Sequence, residues 1–512
     1  MLTGLKEFAR EVIVNKKTKK DAAKTASRNA AARVLKDLAG KVKTPSQTGK
    51  GRRRKSSKKT GVKSKRRTSR KRPAETRDFT ELIVKSETDI FSPIPVQSSI
   101  GDNYLIDYRP INAVSDTNPV TFFIPGNEEE LLDPTMYLKC SFRLKSAAGA
   151  KFPPGADVAP INLFGHTMWK DITIKLGDKI VSAATENYPY RAYFERLLSY
   201  GREAKESQLT AELFYKDTAG KMNSRDGKEN TGFRMRQFLA SNGALINTLT
   251  RISTDIGNQV RLLPNNLDVT VTLQQCSDSF RLMYSLTAEN SMAFSVQIQD
   301  LQLYCKRIRL TPPMALAIAR TLRVKPAQYP ISRVVVKTFQ VTTGTTLINR
   351  ENLSMGQLPR IAIVGVLNSL AYTGSPDQNP FNFESKGCIY VSLYRDSDPI
   401  PSIPYSPNWA TANAVREYLG LFHVGNILGA NSGNNISFFD YLNGGYVLYA
   451  FDLTPDDSGG AAHKSTTRQG SLSLKMQFAP NEIDAPCTVV VYLVYDNIIW
   501  IDQHRNVLTD FS

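Results

Sequence analysis

Histidine and cysteine are scarce in this chain: four and five among 512 residues. His166, His423, His463 and His504 lie too far apart for any two to have metal-ligand spacing, and neither HExxH nor CxxC occurs. Each histidine therefore reads as a surface or satisfied core residue, and no metal is expected. Cys140, Cys276, Cys305, Cys388 and Cys487 are odd in number and scattered. That argues against a disulfide framework and fits a reducing compartment. A GxSxG elbow, a GxxxxGK[ST] loop and a GxGxxG turn after a strand are also missing, so neither a cofactor nor an enzyme is expected. A triad assembled from distant residues would leave no such signature. Nor does any run approach the 18 apolar residues of a membrane span; Ile361 to Leu370 is short and carries Gly365 and Asn368. No positive-then-apolar leader opens the sequence. The expectation is a soluble protein made in the cytosol, in which the sequons at Asn352 and Asn435 mean little.

Acidic residues are nearly absent from the first 72 positions, which hold 26 Lys+Arg against 4 Asp+Glu, a net of +22. Positions 73–512 hold 40 basic and 43 acidic residues, a net of −3. The overall +19 thus describes a near-neutral body with a strongly basic tail, and such a tail seeks a polyanion.

The tail has two parts. Residues 1–40 read as helix: Leu2, Leu5, Phe8, Ala9, Val12 and Ile13 follow helical spacing, as do Val34, Leu35 and Leu38, with Gly40 as a stop. A stable helix and one that forms on contact with a partner both fit. From Lys50 to Arg72, 14 of 23 residues are basic: Lys50, Arg52, Arg53, Arg54, Lys55, Lys58, Lys59, Lys63, Lys65, Arg66, Arg67, Arg70, Lys71 and Arg72. With no aromatic and almost nothing apolar, this stretch is expected to be disordered on its own. It reads as a nucleic-acid-binding or nuclear-import segment; a merely solvated tail is the bland alternative. The missing aromatics argue against base stacking, so contact would be with phosphates and without sequence preference.

The body is written in strand periodicity. Leu138, Cys140, Phe142 and Leu144 alternate with polar residues, as do Ile172, Ile174 and Leu176, and Val269, Val271 and Leu273. Met292, Phe294, Val296 and Ile298 share one parity and Leu301, Leu303 and Cys305 the other, which predicts a bulge near Asp300. Tyr190 to Tyr215 is a helical interlude. Thr311-Pro312-Pro313 marks a break before a short apolar helix to Leu322, and strands resume at Val334. Asp398 to Pro407 reads as a surface loop. Val447, Tyr449, Phe451 and Leu453 alternate, then Leu472, Leu474, Met476 and Phe478. Val489 to Tyr495 is apolar throughout, as for a strand buried on both faces. Glu128-Glu129-Glu130 reads as a solvated turn, and Asp456 and Asp457 as turn formers lacking calcium-loop spacing. Two β-rich halves suit sandwiches or jelly rolls better than a parallel α/β sheet.

Several strings then carry a family resemblance: Tyr188-Pro-Tyr-Arg-Ala-Tyr-Phe-Glu-Arg-Leu-Leu-Ser-Tyr-Gly201 with Ala204-Lys205 and Ser207-Gln208-Leu209; Tyr215-Lys-Asp-Thr-Ala-Gly220; Gly356-Gln-Leu-Pro359; Asn379-Pro-Phe-Asn-Phe383; and Gly445-Tyr with Ala450-Phe-Asp-Leu-Thr-Pro-Asp456. Together, over about residues 86–511, they resemble the double jelly-roll major capsid proteins of Polinton (Maverick) elements and their adintovirus-type relatives. The resemblance implies a mainly β chain of two consecutive eight-stranded antiparallel jelly rolls with a short helical insertion. Its segments would be a basic tail (1–76), a linker arm (77–103), a first roll (104–312), a connector (313–330) and a second roll (331–512). It further implies a homotrimer of pseudo-hexagonal outline tiling an icosahedral shell around double-stranded DNA. Penton and minor capsid proteins would be partners, with the virion as location and the host nucleus as the place of assembly. The tail departs from that family, whose members often begin near the segment matching Asp89-Ile-Phe-Ser92. A nucleic-acid-packaging protein whose β body is a scaffold is the alternative, and a hydrolase or glycan-binding jelly roll the third.

Overall fold

The computed structural model describes residues 96–115, 118–146, 156–182, 187–285, 294–461 and 463–511. The tail (1–76), its helical reading over 1–40, the linker through residue 95 and Met292 lie outside the described residues.

Four large antiparallel sheets carry the chain, with strands numbered in sequence order. One joins β1 (Ile100–Tyr108), β10 (Phe294–Leu310), β3 (Glu130–Ser146) and β7 (Ile246–Arg251), in that order. Facing it are β2 (Val120–Ile124), β8 (Val269–Gln275), β5 (Trp169–Leu176) and β6 (Lys179–Ile180). A two-stranded ribbon, β4 (Val158–Pro160) with β9 (Leu282–Tyr284), lies beside them. The second half repeats the pattern. Its first sheet runs β11 (Ala327–Val341), β18 (Cys487–Ile501), β13 (Ile361–Asn368), β16 (Leu448–Asp452), with β19 (Val507–Thr509) added to β18. Its second runs β12 (Leu347–Gln357), β17 (Gln469–Phe478), β14 (Cys388–Arg395), β15 (Asp398–Tyr405). Setting the ribbon and β19 aside and counting strands within each half, both halves read 1-8-3-6 and 2-7-4-5. That shared order is the double jelly roll, a duplication of topology without a repeat of residues.

The alternation in the sequence decides which residues meet between the sheets. Leu138, Cys140, Phe142 and Leu144 of β3, and Leu472, Leu474, Met476 and Phe478 of β17, are all buried. The parity change in β10 is a bulge, with the register to β3 shifting between Ile298 and Asp300. It lets Val296 on one side and Leu301, Leu303 and Cys305 on the other all face the core.

Three readings need correction. Asp398 to Tyr405 is an edge strand, β15, not a loop. An edge strand bonds on one side only, so Pro399, Pro401 and Pro404 remove no ladder bond the sheet requires. β16 does not alternate, because Leu448 and Ala450 are buried as fully as Tyr449 and Phe451. Glu130 is not a solvated turn residue: it opens β3 buried, accepting from Arg309 at 2.8 Å and from Tyr104 at 2.7 Å.

Val489 to Tyr495 are all buried, as their composition requires. A charge there would be desolvated without a partner. Val491→Asp is expected to destabilise by about 4 kcal/mol or more, whereas Ser473→Lys, on the outward parity of β17, should change stability by about 0.5 kcal/mol at most. Urea denaturation of the two variants checks both.

Candidate functional site

The first roll reaches the second through the connection between β6 and β7. That connection carries α1 (Tyr188–Ser199) and α2 (Thr231–Ala240). α1 begins after Asn187 with Pro189 in its first turn, where a missing N–H costs nothing, and gives way to extended backbone at Tyr200. Tyr190, Tyr193, Phe194, Leu197 and Leu198 are buried along it. Tyr190, Tyr193 and Phe194 lie against the second roll. The Tyr193 ring stacks on Phe381 at 4.1 Å between centroids, and Tyr190 on Tyr372 at 5.8 Å. Phe194 sits 5.2 Å from Phe383 and edge-on to Tyr492 of β18 at 5.7 Å. Gly365 of β13 is required beneath this cluster, because a Cβ there would stand 2.6 Å from the Phe383 ring.

Polar groups lock the same seam. Arg236 of α2 is fully buried and donates to Pro160 O, Tyr215 O and Asp217 Oδ1 at 2.8–2.9 Å. Asp217 in turn accepts from Asn379 of the second roll at 3.0 Å, and the Tyr446 hydroxyl donates to Asp217 O at 2.6 Å. Lys205 Nζ donates to Leu197 O in one roll and Asn434 O in the other; burial, with a smaller push from Lys216, brings its pKa down to about 7. Beneath α1, Arg191 pairs with Asp255 at 2.8 Å, and Asp255 accepts from the Val334 N–H of β11. Arg196 donates to Glu212 at 2.9 Å and to Ser253, while His166 lies between Tyr188 (2.8 Å) and Glu212 (3.2 Å). Burial, with a smaller push from the Arg196 charge, lowers the His166 pKa, outweighing the opposite pull of Glu212. Burial opposes ionisation of Glu212, but His166 and Arg196 hold its carboxyl down at about 2.

This arrangement joins the two rolls. His166 has no exposure, and its partners are a tyrosine, a carboxylate and an arginine. The cavity of about 370 Å³ at the seam is lined by Glu195, Arg196, Arg251, Arg360 and Tyr492 among others. Among the described residues no group of three or more His, Cys, Asp or Glu is placed to hold a metal, and no helix is long and apolar enough to cross a membrane. All five cysteines are buried free thiols; burial raises the pKa of Cys140, Cys276, Cys305 and Cys388 to about 12. The basic residues of the tail, Lys50 through Arg72, lie outside the described residues.

Sequence reasoning missed the ionic network because its members are far apart in the chain. It did record the parts: Tyr188–Gly201, Tyr215–Gly220, Asn379–Phe383 and Gly445-Tyr446 all gather at the seam.

The fold defines the chain as a double jelly roll, and the comparisons agree. No protein-family model matches it. An uncharacterized protein of Caenorhabditis elegans is 26% identical over 410 residues, spanning 78% of this chain and 95% of that one. The Sputnik virophage, solved by cryo-EM at 3.5 Å, contains a chain that superposes with a TM-score of 0.57 at 13% identity, over 84% of this chain and 92% of that chain. The mavirus major capsid protein superposes with a TM-score of 0.51 at 14% identity, over 88% and 97%.

Two variants test the seam. Phe381→Ala removes the ring under Tyr193 and is expected to lower stability by about 3–5 kcal/mol in chemical denaturation. Glu212 has a depressed pKa, so its stabilisation is complete above the unfolded value of 4.5 and is lost as pH falls toward about 2. The difference in denaturation midpoint between the parent chain and Glu212→Gln should therefore be largest above about pH 5 and shrink steadily in acid.

Proposed function

We propose that this chain is a major capsid protein of the Polinton/adintovirus type, a structural protein without enzymatic activity. The observation that carries the reading is the pair of jelly rolls with one strand order, welded by an apolar and hydrogen-bonded seam. The likeness in fold to the mavirus major capsid protein and the Sputnik chain supports it.

In this reading residues 104–312 and 331–512 are the two rolls, 313–330 the connector and 77–103 an arm. Three copies form a trimer of pseudo-hexagonal outline, and trimers tile an icosahedral shell around double-stranded DNA beside penton and minor capsid proteins. The chain is made in the cytosol, assembles in the host nucleus and resides in the virion. The tail, residues 1–76, neutralises phosphates through Lys50 to Arg72, serves nuclear import, or does both. It adds 22 net positive charges over its first 72 residues to a body of net −3.

Light scattering and electron microscopy of the purified chain test this. Trimers at micromolar concentration that persist when residues 1–76 are deleted, and hexagonal outlines or shells, are expected; a monomeric body would remove the capsid reading. DNA binding should depend on the tail and weaken with salt. If about ten phosphates are neutralised, the log–log slope is roughly −9. Tail-dependent DNA binding by a body that never assembles would favour the packaging-protein alternative.

A further inference from the structure

The cavity of about 370 Å³ at the seam is built from both rolls, and guanidinium groups dominate its charge. From the first roll come Glu195 and Arg196 of α1, and Arg251, which ends β7. From the second come Arg360, just before β13, with Ser332 of β11 and Val424 at the end of α3 (Val415–Val424). The charged lining is thus three arginines against one carboxylate. That carboxylate is already engaged, since Glu195 accepts from Arg191 at 3.0 Å, and Arg196 is likewise held by Glu212 at 2.9 Å.

The other two arginines are less well matched. The Arg251 guanidinium donates to Gly257 O at 3.1 Å and forms no ion pair among the described residues. Arg360 donates to Ser332 Oγ at 3.0 Å. The carboxylate beside it, Asp496, stands 3.7 Å from its Nε and is shared with Lys464 at 3.3 Å. Both Arg251 and Arg360 keep a buried Nε–H without an acceptor among the described residues. A buried donor left unpaired is costly, more so on a cation, and such a group commonly marks the place of an ion or an ordered water.

We infer that this cavity binds a small anion of the phosphate class, held between Arg251 of the first roll and Arg360 of the second. A guanidinium presents its donors in a fork that matches phosphate oxygens, and the volume falls in the range of small-ligand sites. Val334, Ile363 and Leu421 line much of the remainder, and an apolar wall strengthens the attraction between a guanidinium and an anion. Ser199, Asn258, Gly425 and Gly460 are exposed at the rim, which gives an anion a path from solvent. The bound anion adds a charged tie between the rolls beside the aromatic one. A single chain supplies every group, so the site stands whether or not the chain assembles.

Thermal unfolding of the full chain tests this, in orthophosphate, tripolyphosphate or adenosine triphosphate, with ionic strength matched by sodium chloride. A ligand of the folded chain raises the unfolding midpoint, and a saturable rise of about 2–4 °C is expected with tripolyphosphate. The basic tail is the same in every variant, so differences between parent and variant report on the cavity. Arg251→Gln and Arg360→Gln should each raise the half-saturating concentration about tenfold or more. Asn258→Glu, at the exposed rim, should also weaken the response while leaving the midpoint in chloride unchanged. That variant decides the matter if either arginine variant fails to fold. Equal rises with tripolyphosphate and the nucleotide support recognition of the phosphate chain, and a rise with the nucleotide alone supports a phosphate site that also takes the nucleoside. A rise that no variant diminishes, or no rise with any of the three anions, overturns the assignment and leaves the capsid reading standing.

Discussion

Everything about the second roll depends on one helix that belongs to the first. β18 is apolar on both faces, and a strand of that kind is soluble only when something covers its outer side. α1 does so with Phe194, while Tyr193, Phe381 and Phe383 complete the aromatic layer. Aromatic pairs contribute about 0.5–1.5 kcal/mol each beyond the area they bury, and several meet here. The second roll therefore has no stable existence with its first sheet exposed. Two sandwiches that share a topology are thus joined by a cover that one supplies to the other.

The buried charges of the seam have a different role from the rings. Taking Arg236, Asp217, Arg191, Asp255, Arg196 and Glu212 out of water is costly, and apolar replacements of the same volume would often hold the rolls together equally well. What the charges contribute is register. Arg236 reads two backbone carbonyls and the Asp217 carboxylate, whose other oxygen accepts from Asn379 across the seam. An aromatic layer tolerates sliding, whereas a guanidinium with fixed donors does not. The ring cluster thus gives the seam its adhesion, and the ionic clusters on either side of it fix its geometry.

The strands were legible in the sequence because alternation is local. The four apolar residues of β17, the unbroken run in β18 and the parity change at Asp300 each announced their burial, and the last announced a bulge. β15 escaped because three prolines outweighed its pairing with β14, an edge contact that turn chemistry does not reveal. The seam escaped for a different reason. Arg196 and Glu212, or Asp217 and Asn379, are partners only after two domains dock, and no spacing encodes that. The second layer over β18 was demanded by the sequence, but its identity as α1 came from tertiary structure. Lys50 to Arg72 were legible as a polyanion-seeking segment by charge density alone, and that remains a reading of composition.

Comparing β10 with β18 extends the same logic to what the molecule leaves uncovered. The two strands hold the same place in their rolls, second in the sheet order 1-8-3-6. β18 carries apolar residues on its outer side as well as its inner side, and its cover is built into the chain. β10 alternates, setting Gln302, Tyr304 and Lys306 opposite the core positions Leu301, Leu303 and Cys305. A face meant to be closed from the moment of folding can afford to be wholly apolar. A face left open to water has to remain wettable, and charges interleaved with the exposed Leu105, Tyr137 and Leu249 meet that requirement. The difference between two strands of equal rank thus follows from whether the chain itself supplies a cover for the outer face.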